Sequence, residues 1–389
     1  ATGRVTLKDG DVVGIDVEKG RVVIGANGFD ATNTDYVNII AKSLEMQGNL
    51  VGNRVDVILG ENFVDNNGAV TSKGGINSVA IDAGNLGSMY AGQVRIVSTD
   101  KGAGVNSGAL IYSKNEKLEI TADGKINVAK IKGNGIEIKG SDYTQTELAS
   151  SDRDINITAN TVKLSGQTQA QGNVSLNADV ENASEILANG NLKTKKLTNT
   201  GKVKVLKKVE ITGELDNGGS LISADGVTVT KDVKNTGEIL SSGRISGSSL
   251  VTSGKVQTNE TLDIDGLLDN SGTVGASKDI SVAGNVLNSG EILTNGDFAS
   301  RNMDTSGTVV SNNLRTGNLK NDGKIVANKD LTAKKVSSTG DITVVGKISA
   351  GSLKSSGALR TNEDLSINGR FDNDGTVETS KNIAVSGDI

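Results

Sequence analysis

The chain of 389 residues has no histidine, no cysteine, no proline and no tryptophan. Each absence excludes something. Without histidine or cysteine there is no Ser-His-Asp triad, no Cys-His nucleophile and no ordinary zinc site. Without cysteine there are no disulfides, although a long stacked core can be stable outside a cell without them. Proline cannot donate to a strand ladder, so its absence suits a chain that is nearly all ladder. Aromatics make up only 2% of the residues, which implies a narrow interior filled by small aliphatics. No apolar run approaches the ~20 residues of a membrane-spanning helix. The net charge of −5 argues against a nucleic-acid surface.

What the chain has is glycine, 50 of them, and a period. From Lys196 onward one phrase recurs. It ends in two polar residues and a glycine, and the glycines stand at Gly201, Gly219, Gly237, Gly254, Gly272, Gly290, Gly307, Gly323, Gly340, Gly357 and Gly375. The spacing is 16 to 18 residues. Two residues after each glycine is an aliphatic, from Val203 and Leu221 to Leu359 and Val377. Four residues before each is another apolar side chain, from Leu197 and Leu215 to Leu353 and Phe371. A fixed short period of this kind marks a solenoid.

Such a unit is too short for a helix pair. Its apolar residues alternate with polar ones, as in Val209-Glu210-Ile211 and Leu262-Asp263-Ile264, which is the strand period. Gly, Asn, Asp and Ser between the runs supply turns. The expected fold is therefore all-β, a right-handed parallel β-helix (β-solenoid) with 17–18-residue coils, both apolar columns facing inward. Right-handedness follows the general rule for parallel crossovers. Asn recurs two positions before the glycine, at Asn199, Asn217, Asn235, Asn270, Asn288, Asn321 and Asn373. Two explanations stand side by side: a hydrogen-bonded ladder along the axis, or the ordinary fitness of Asn for turns. Stacked at about 4.8 Å per coil, residues 184–389 would extend about 55 Å, with Ser184 in the first glycine slot.

The front is different. Six of the eight aromatics precede residue 144, and the period blurs. Strands are still readable at 4–7, 21–24, 54–58, 93–97 and 117–120. Residues 35–46 fit a short helix or two strands, and strands are preferred because a coil needs them. Tyr36, Met89 and Tyr90 are read as packing residues, with an exposed contact patch as the alternative.

Five ordered segments then carry a resemblance. They are Gly3-Arg-Val-Thr-Leu7, Gly28-Phe-Asp-Ala-Thr-Asn-Thr-Asp-Tyr36 with Ile39-Ile-Ala-Lys42, Val79 to Gly92, Gln93 to Val105, and Asn106-Ser-Gly108. Together they resemble the filamentous haemagglutinin family of two-partner-secretion exoproteins, which includes large adhesins, haemolysins and contact-dependent inhibition toxins. The resemblance covers roughly residues 1 to 127. It implies export through an outer-membrane two-partner-secretion transporter of a Gram-negative bacterium, and a secreted or cell-surface location. The family continues into haemagglutinin-type repeats, usually nearer twenty residues than the period here. Its N-terminal Asn-Pro-Asn motifs are absent; the chain opens on Ala1-Thr2-Gly3 and ends mid-phrase at Asp388-Ile389, so it is expected to be a section of a longer protein. The expected division is 1–130, the later part of the secretion-type domain; 131–183, transitional coils; and 184–389, regular repeats.

Sites for chemistry are few. Parallel β-helices do host polysaccharide-cleaving enzymes, which need clustered carboxylates. Asp263 with Asp265, and Asp372 with Asp374, have the spacing, but solvated carboxylates are the default. Gly74-Gly75 and Gly218-Gly219 do not continue into a calcium-binding repeat. The basic pairs Lys195-Lys196, Lys207-Lys208 and Lys334-Lys335 read as solubilising. We therefore expect no enzyme in these residues and no catalytic, cofactor or metal residues. The expected role is the shaft of a large adhesin that binds an unidentified surface receptor. The alternatives are the stalk of a contact-dependent growth-inhibition toxin or haemolysin and, third, a polysaccharide-cleaving enzyme.

Overall fold

The structure, a computed structural model, describes residues 1–76, 79–83 and 87–389. All its regular elements are strands, and no helix occurs among the described residues. Positions 84–86 of the 79–92 segment lie outside them. The chain divides into two compact units. One comprises residues 1–196 with 201–205, the other 197–200 with 206–389.

The second unit is a parallel β-solenoid with three short strands per coil. Leu215–Asn217, Ser220–Ser223 and Val227–Val229 form one coil. Each strand pairs in parallel with its equivalent one coil on: Leu215 with Val233, Leu221 with Ile239, Val227 with Ile245. Both predicted apolar columns point inward. Leu221, Val274, Ile292 and Ile325 are fully buried, as are Leu197 and Leu268 of the second column. A third column, Val209, Val227, Ile245, Leu262 and Ile280, completes a three-sided core. Phe298 extends that column and is also fully buried.

The recurring glycine has a steric cause. A Cβ on Gly254 would lie 2.0 Å from the carbonyl oxygen of Gly237, and one on Gly290 would lie 2.2 Å from that of Gly272. The same contact recurs up to Gly375 over Gly357. These glycines do not need a left-handed backbone; the positive-φ glycines lie elsewhere. They are glycine because the turns stack so closely that each carbonyl occupies the place of the next Cβ. That carbonyl accepts the following N–H one coil on, as in Lys255 N–H to Gly237 O at 2.9 Å.

The Asn column is a ladder, and it is internal. Asn199, Asn217, Asn235, Asn270 and Asn321 are fully buried. Asn199 Nδ2 donates to Asn217 Oδ1 at 2.8 Å, and Asn217 Nδ2 to Asn235 Oδ1 at 2.8 Å. Where the next coil lacks Asn, a hydroxyl accepts instead. Asn235 donates to Thr252 Oγ1 at 3.1 Å, Asn288 to Thr305 Oγ1 at 3.0 Å, and Asn321 to Ser338 Oγ at 3.0 Å. Burying an amide without a partner would cost about 1–3 kcal/mol, so a buried polar column must satisfy itself.

The first unit is also a parallel solenoid, but an irregular one. Ile39 pairs with Val57, Val57 with Ile96, Ile96 with Ile120 and Ile120 with Ile138. The step from Val57 to Ile96 is 39 residues, and it contains an insertion. That insertion supplies Asn62–Asp65 and Val70–Ser72, which join Arg4–Lys8 and Asp11–Val17 in a four-stranded antiparallel sheet. The strand expected at 4–7 is present, but it lies in this sheet and not in a coil. The inner face of the sheet packs Val17 and Val64 against Ile40 and Ile58 of the solenoid wall, with Ile15 and Val70 alongside. Residues 35–46 form two strands, Val37–Ala41 and Ser43–Met46.

Candidate functional site

In each carboxylate pair one member is engaged by neighbouring side chains and the other is exposed. Asp263 lies on the outer side of Leu262–Ile264, while Asp265 follows the strand end and sits exposed in the turn. The Asp263 carboxylate is held by Arg244 at 2.6 Å and accepts the Thr261 hydroxyl at 2.9 Å. Asp372 pairs with Lys354 and Arg370, both at 3.4 Å, and Asp374 is an exposed turn residue. Each pair therefore divides between a three-residue strand and the turn that follows it. Among the described residues no group of three or more carboxylates is placed to hold a metal ion.

The surface is grooved rather than pocketed. One shallow groove of about 420 Å³ crosses the coils at Asn285, Asn302 and Asn318. Its amides bind one another. Asn302 Nδ2 donates to Asn285 Oδ1 at 3.0 Å, and the Asn318 N–H to Asn302 Oδ1 at 2.9 Å. Its charges are likewise paired, Lys320 with Asp304 at 3.1 Å and with Asp322 at 3.0 Å. The hydrogen bonds that Lys320 donates to Asp322 and Asp304 raise its pKa above the ordinary value. The groove offers ordered polar columns with their hydrogen bonds already made, not a reactive group.

A second axial chain runs along one turn. Asp279 Oδ1 accepts the Asp297 N–H at 2.7 Å, Asp297 Oδ1 the Asn313 N–H at 3.2 Å, and Asp330 Oδ1 the Lys347 N–H at 2.8 Å. These carboxylates cap the turn of the next coil. Sequence reading found the internal Asn column and missed this one, whose signal is an Asp or Asn before the strand that opens with Ile280, Phe298, Leu314 or Leu331.

The front unit holds the one strongly buried charge cluster. Asp100 is fully buried. Lys42 Nζ lies 2.9 Å from Asp100 and 2.5 Å from Glu61, and Asp100 Oδ1 accepts the Glu61 N–H at 2.5 Å. Burial alone would lower the Lys42 ammonium; the bonds to Glu61 and Asp100 outweigh it and raise it. Gly75 lies against this cluster, where a Cβ would sit 2.4 Å from Asp100 Oδ1. Met89 is buried as expected of a packing residue, but Tyr36 and Tyr90 are 62% and 36% exposed, so the packing reading fails for both tyrosines. Tyr90 is the outward residue between the buried Met89 and Ala91. Lys132 stands over the Tyr112 ring at 5.1 Å from its centroid.

Buried ladders and self-paired surface columns define the class: a parallel β-solenoid. The TPS secretion domain matches residues 1–128. The toxin CdiA of Yersinia pestis is 35% identical over 130 residues, 32% of this chain and 4% of that protein. The tRNA nuclease CdiA of Yersinia mollaretii is 31% identical over 176 residues, 44% of this chain and 5% of that protein. The tRNA nuclease CdiA of Escherichia coli strain NC101 is 32% identical over 164 residues, again 5% of that protein. No solved structure matches. These matches support kinship with the two-partner-secretion exoproteins of filamentous haemagglutinin type, carried by the front third of the chain. It spans only about one twentieth of the length of these curated relatives.

Proposed function

We propose that the chain is part of the secretion domain and shaft of a contact-dependent growth-inhibition protein. The observation that carries this reading is the match to relatives named as CdiA toxins and nucleases, which in one case extends over 176 residues. Those names favour the growth-inhibition stalk over the adhesin and haemolysin readings. In this reading residues 1–130 belong to the secretion-type domain, 131–183 are transitional coils and 184–389 are shaft. The whole protein is exported through an outer-membrane two-partner-secretion transporter and displayed outside a Gram-negative cell. The shaft carries no chemistry; any nuclease or other toxin activity belongs to another part of the parent protein. Each coil offers the next a finished edge, so folding proceeds coil by coil as the chain emerges.

The test is a co-culture. Producer cells carrying the parent gene, and the same cells with the region encoding its far C-terminus deleted, are mixed with sibling cells that lack the neighbouring immunity gene. Sibling growth should fall with the first and recover with the second. Attachment without growth inhibition in both would return the reading to an adhesin. Separately, Asp263→Asn with Asp265→Asn should leave any polysaccharide cleavage by the chain unchanged; loss of such an activity would restore the enzyme reading.

A further inference from the structure

One outer face of the repeat unit carries more aliphatics than the others. In strands such as Ser220–Ser223 and Glu238–Ser241 the second and fourth residues point inward and the first and third outward. The third-residue column carries Ile222, Leu240, Leu293, Val310 and Val326, interrupted by Gln257 and Gly275. Beside it the first-residue column carries Glu238, Lys255, Glu291, Lys324 and Asp341, with uncharged residues between. By contrast, the outward column through Thr228, Ser246, Asp263, Ser281 and Ala299 carries no large aliphatic, and the one through Asp216, Lys234, Val251, Asp269 and Leu287 sets two exposed aliphatics among charged residues. Leu293, the most exposed aliphatic of the stripe, leaves 36% of its surface in water.

Gly275 is the second unusual feature. An added Cβ there would meet nothing nearer than 3.7 Å, and its φ is not left-handed. The turn glycines are imposed by the stacked carbonyls; this strand glycine is imposed by nothing within the coil. It leaves a notch in the aliphatic stripe directly beside Leu293.

We propose that this face joins two copies of the chain, laid side by side with the coils of their repeat units running in opposite directions. The occupant is a second copy because the face is complementary to itself. Consider a two-fold axis lying in the interface, parallel to the strands, midway between the coils of Gly275 and Leu293. Leu293 then fills the notch at Gly275 of the second copy, and the converse contact follows by symmetry. Leu240 meets Val326 of the second copy, and Glu238 meets Lys324. Lys255 faces Thr308, Glu291 faces Thr273 and Asp341 faces Ser220, so no like charges oppose. A shift of one coil in one direction sets Lys255 on Lys324, Glu238 on Asp341 and Glu291 on itself. A shift in the other direction sets Gly275 on Gly275 and leaves the notch empty. Complementarity therefore selects one register. Eight coils at ~4.8 Å, each presenting a strand ~13 Å long, bury about 500 Å² per copy. The total of about 1,000 Å² lies at the boundary between transient and standard interfaces, so pairing depends on concentration.

Sedimentation velocity of the 389-residue chain across the micromolar range tests this. The mass should rise with concentration from 39.9 kDa toward twice that value. Gly275→Leu fills the notch, its Cβ making only ordinary contacts with the coil, so it should keep its melting curve and weaken association by at least ~10-fold, equivalent to about 1.4 kcal/mol. Leu293→Asp should do the same. Glu238→Lys should weaken pairing, and adding Lys324→Glu should restore it. Association undiminished by Gly275→Leu would overturn the proposal in favour of stacking through open coil ends. A chain that stays monomeric at every concentration would also overturn it, leaving the stripe to a partner of other chemistry.

Discussion

In residues 1–196 a buried carboxylate, Asp100, is held by a lysine, Lys42, in a contact made once. In residues 206–389 a buried amide, Asn270, is held by Asn288, and the same contact recurs between Asn217 and Asn235. Both are polar groups taken out of water, and both are satisfied by a neighbouring coil. The difference is redundancy. The repeat unit spreads its polar burial over equivalent rungs, each replaceable by Thr or Ser. The front unit concentrates it where an insertion and an antiparallel sheet interrupt the coils. Removing one contact should therefore hurt the front unit more than the repeat unit.

The largest expected effect is Lys42→Met. It leaves Asp100 buried and unpaired and should cost the front unit about 3–5 kcal/mol, read by urea unfolding followed by hydrogen exchange. Exchange in the repeat unit should not change; a uniform loss across both units would break the comparison. The same pair sets a pH dependence. The Lys42 value is raised above the ordinary 10.5, so its contribution is complete below that pH and is lost as pH climbs through the raised value. Alkaline unfolding of the front unit should show this loss, and the Lys42→Met variant should not.

Gly290→Ala comes next. Its Cβ would lie 2.2 Å from the Gly272 carbonyl oxygen, so the turn must move, at about 1–3 kcal/mol in thermal melts. The control is Gly275→Ala, which meets only ordinary contacts and should shift stability by less than ~0.5 kcal/mol. Equal effects at the two glycines would refute the steric account of the turn column.

Asn270→Ala removes donors to Asn288 Oδ1 at 2.8 Å and to the Glu291 carbonyl at 3.0 Å. A loss of about 1–2 kcal/mol is expected, and Asn270→Thr should recover part of it, because Thr252 and Thr305 serve as rungs. If Thr recovers nothing, the column is specific for amides and the redundancy argument weakens.

The smallest effect belongs to Tyr143→Phe. This ring is fully buried, its hydroxyl has no partner among the described residues, and burial raises its pKa. Removing the hydroxyl should be neutral or stabilising by up to about 1 kcal/mol in the same melts. A clear loss would mean that the hydroxyl is bound.

Legibility in the sequence followed range. The inward columns, such as Leu221 with Ile239, were readable because alternation is local and the period repeats it. The Asn column was visible as a recurrence, but its position inside the core was not, since a turn Asn and a buried ladder Asn look alike. The antiparallel sheet was not readable. Val5-Thr6-Leu7 alternates equally well in either kind of ladder, and its partner strand is chosen by tertiary packing. That Asp263 lies on a strand and Asp265 in the turn after it was not readable, because strand length is not fixed by spacing.

The sequence by itself determined the all-β class, the coil period and which side chains face inward, because each depends on residues a few positions apart or one period apart. Only the tertiary structure decided why the turn residue is glycine, which Asp is buried against Lys42, and which outer column is left apolar. Those depend on atoms that meet across coils, where a carbonyl at 2.1 Å or a charge at 2.9 Å matters and chain distance does not.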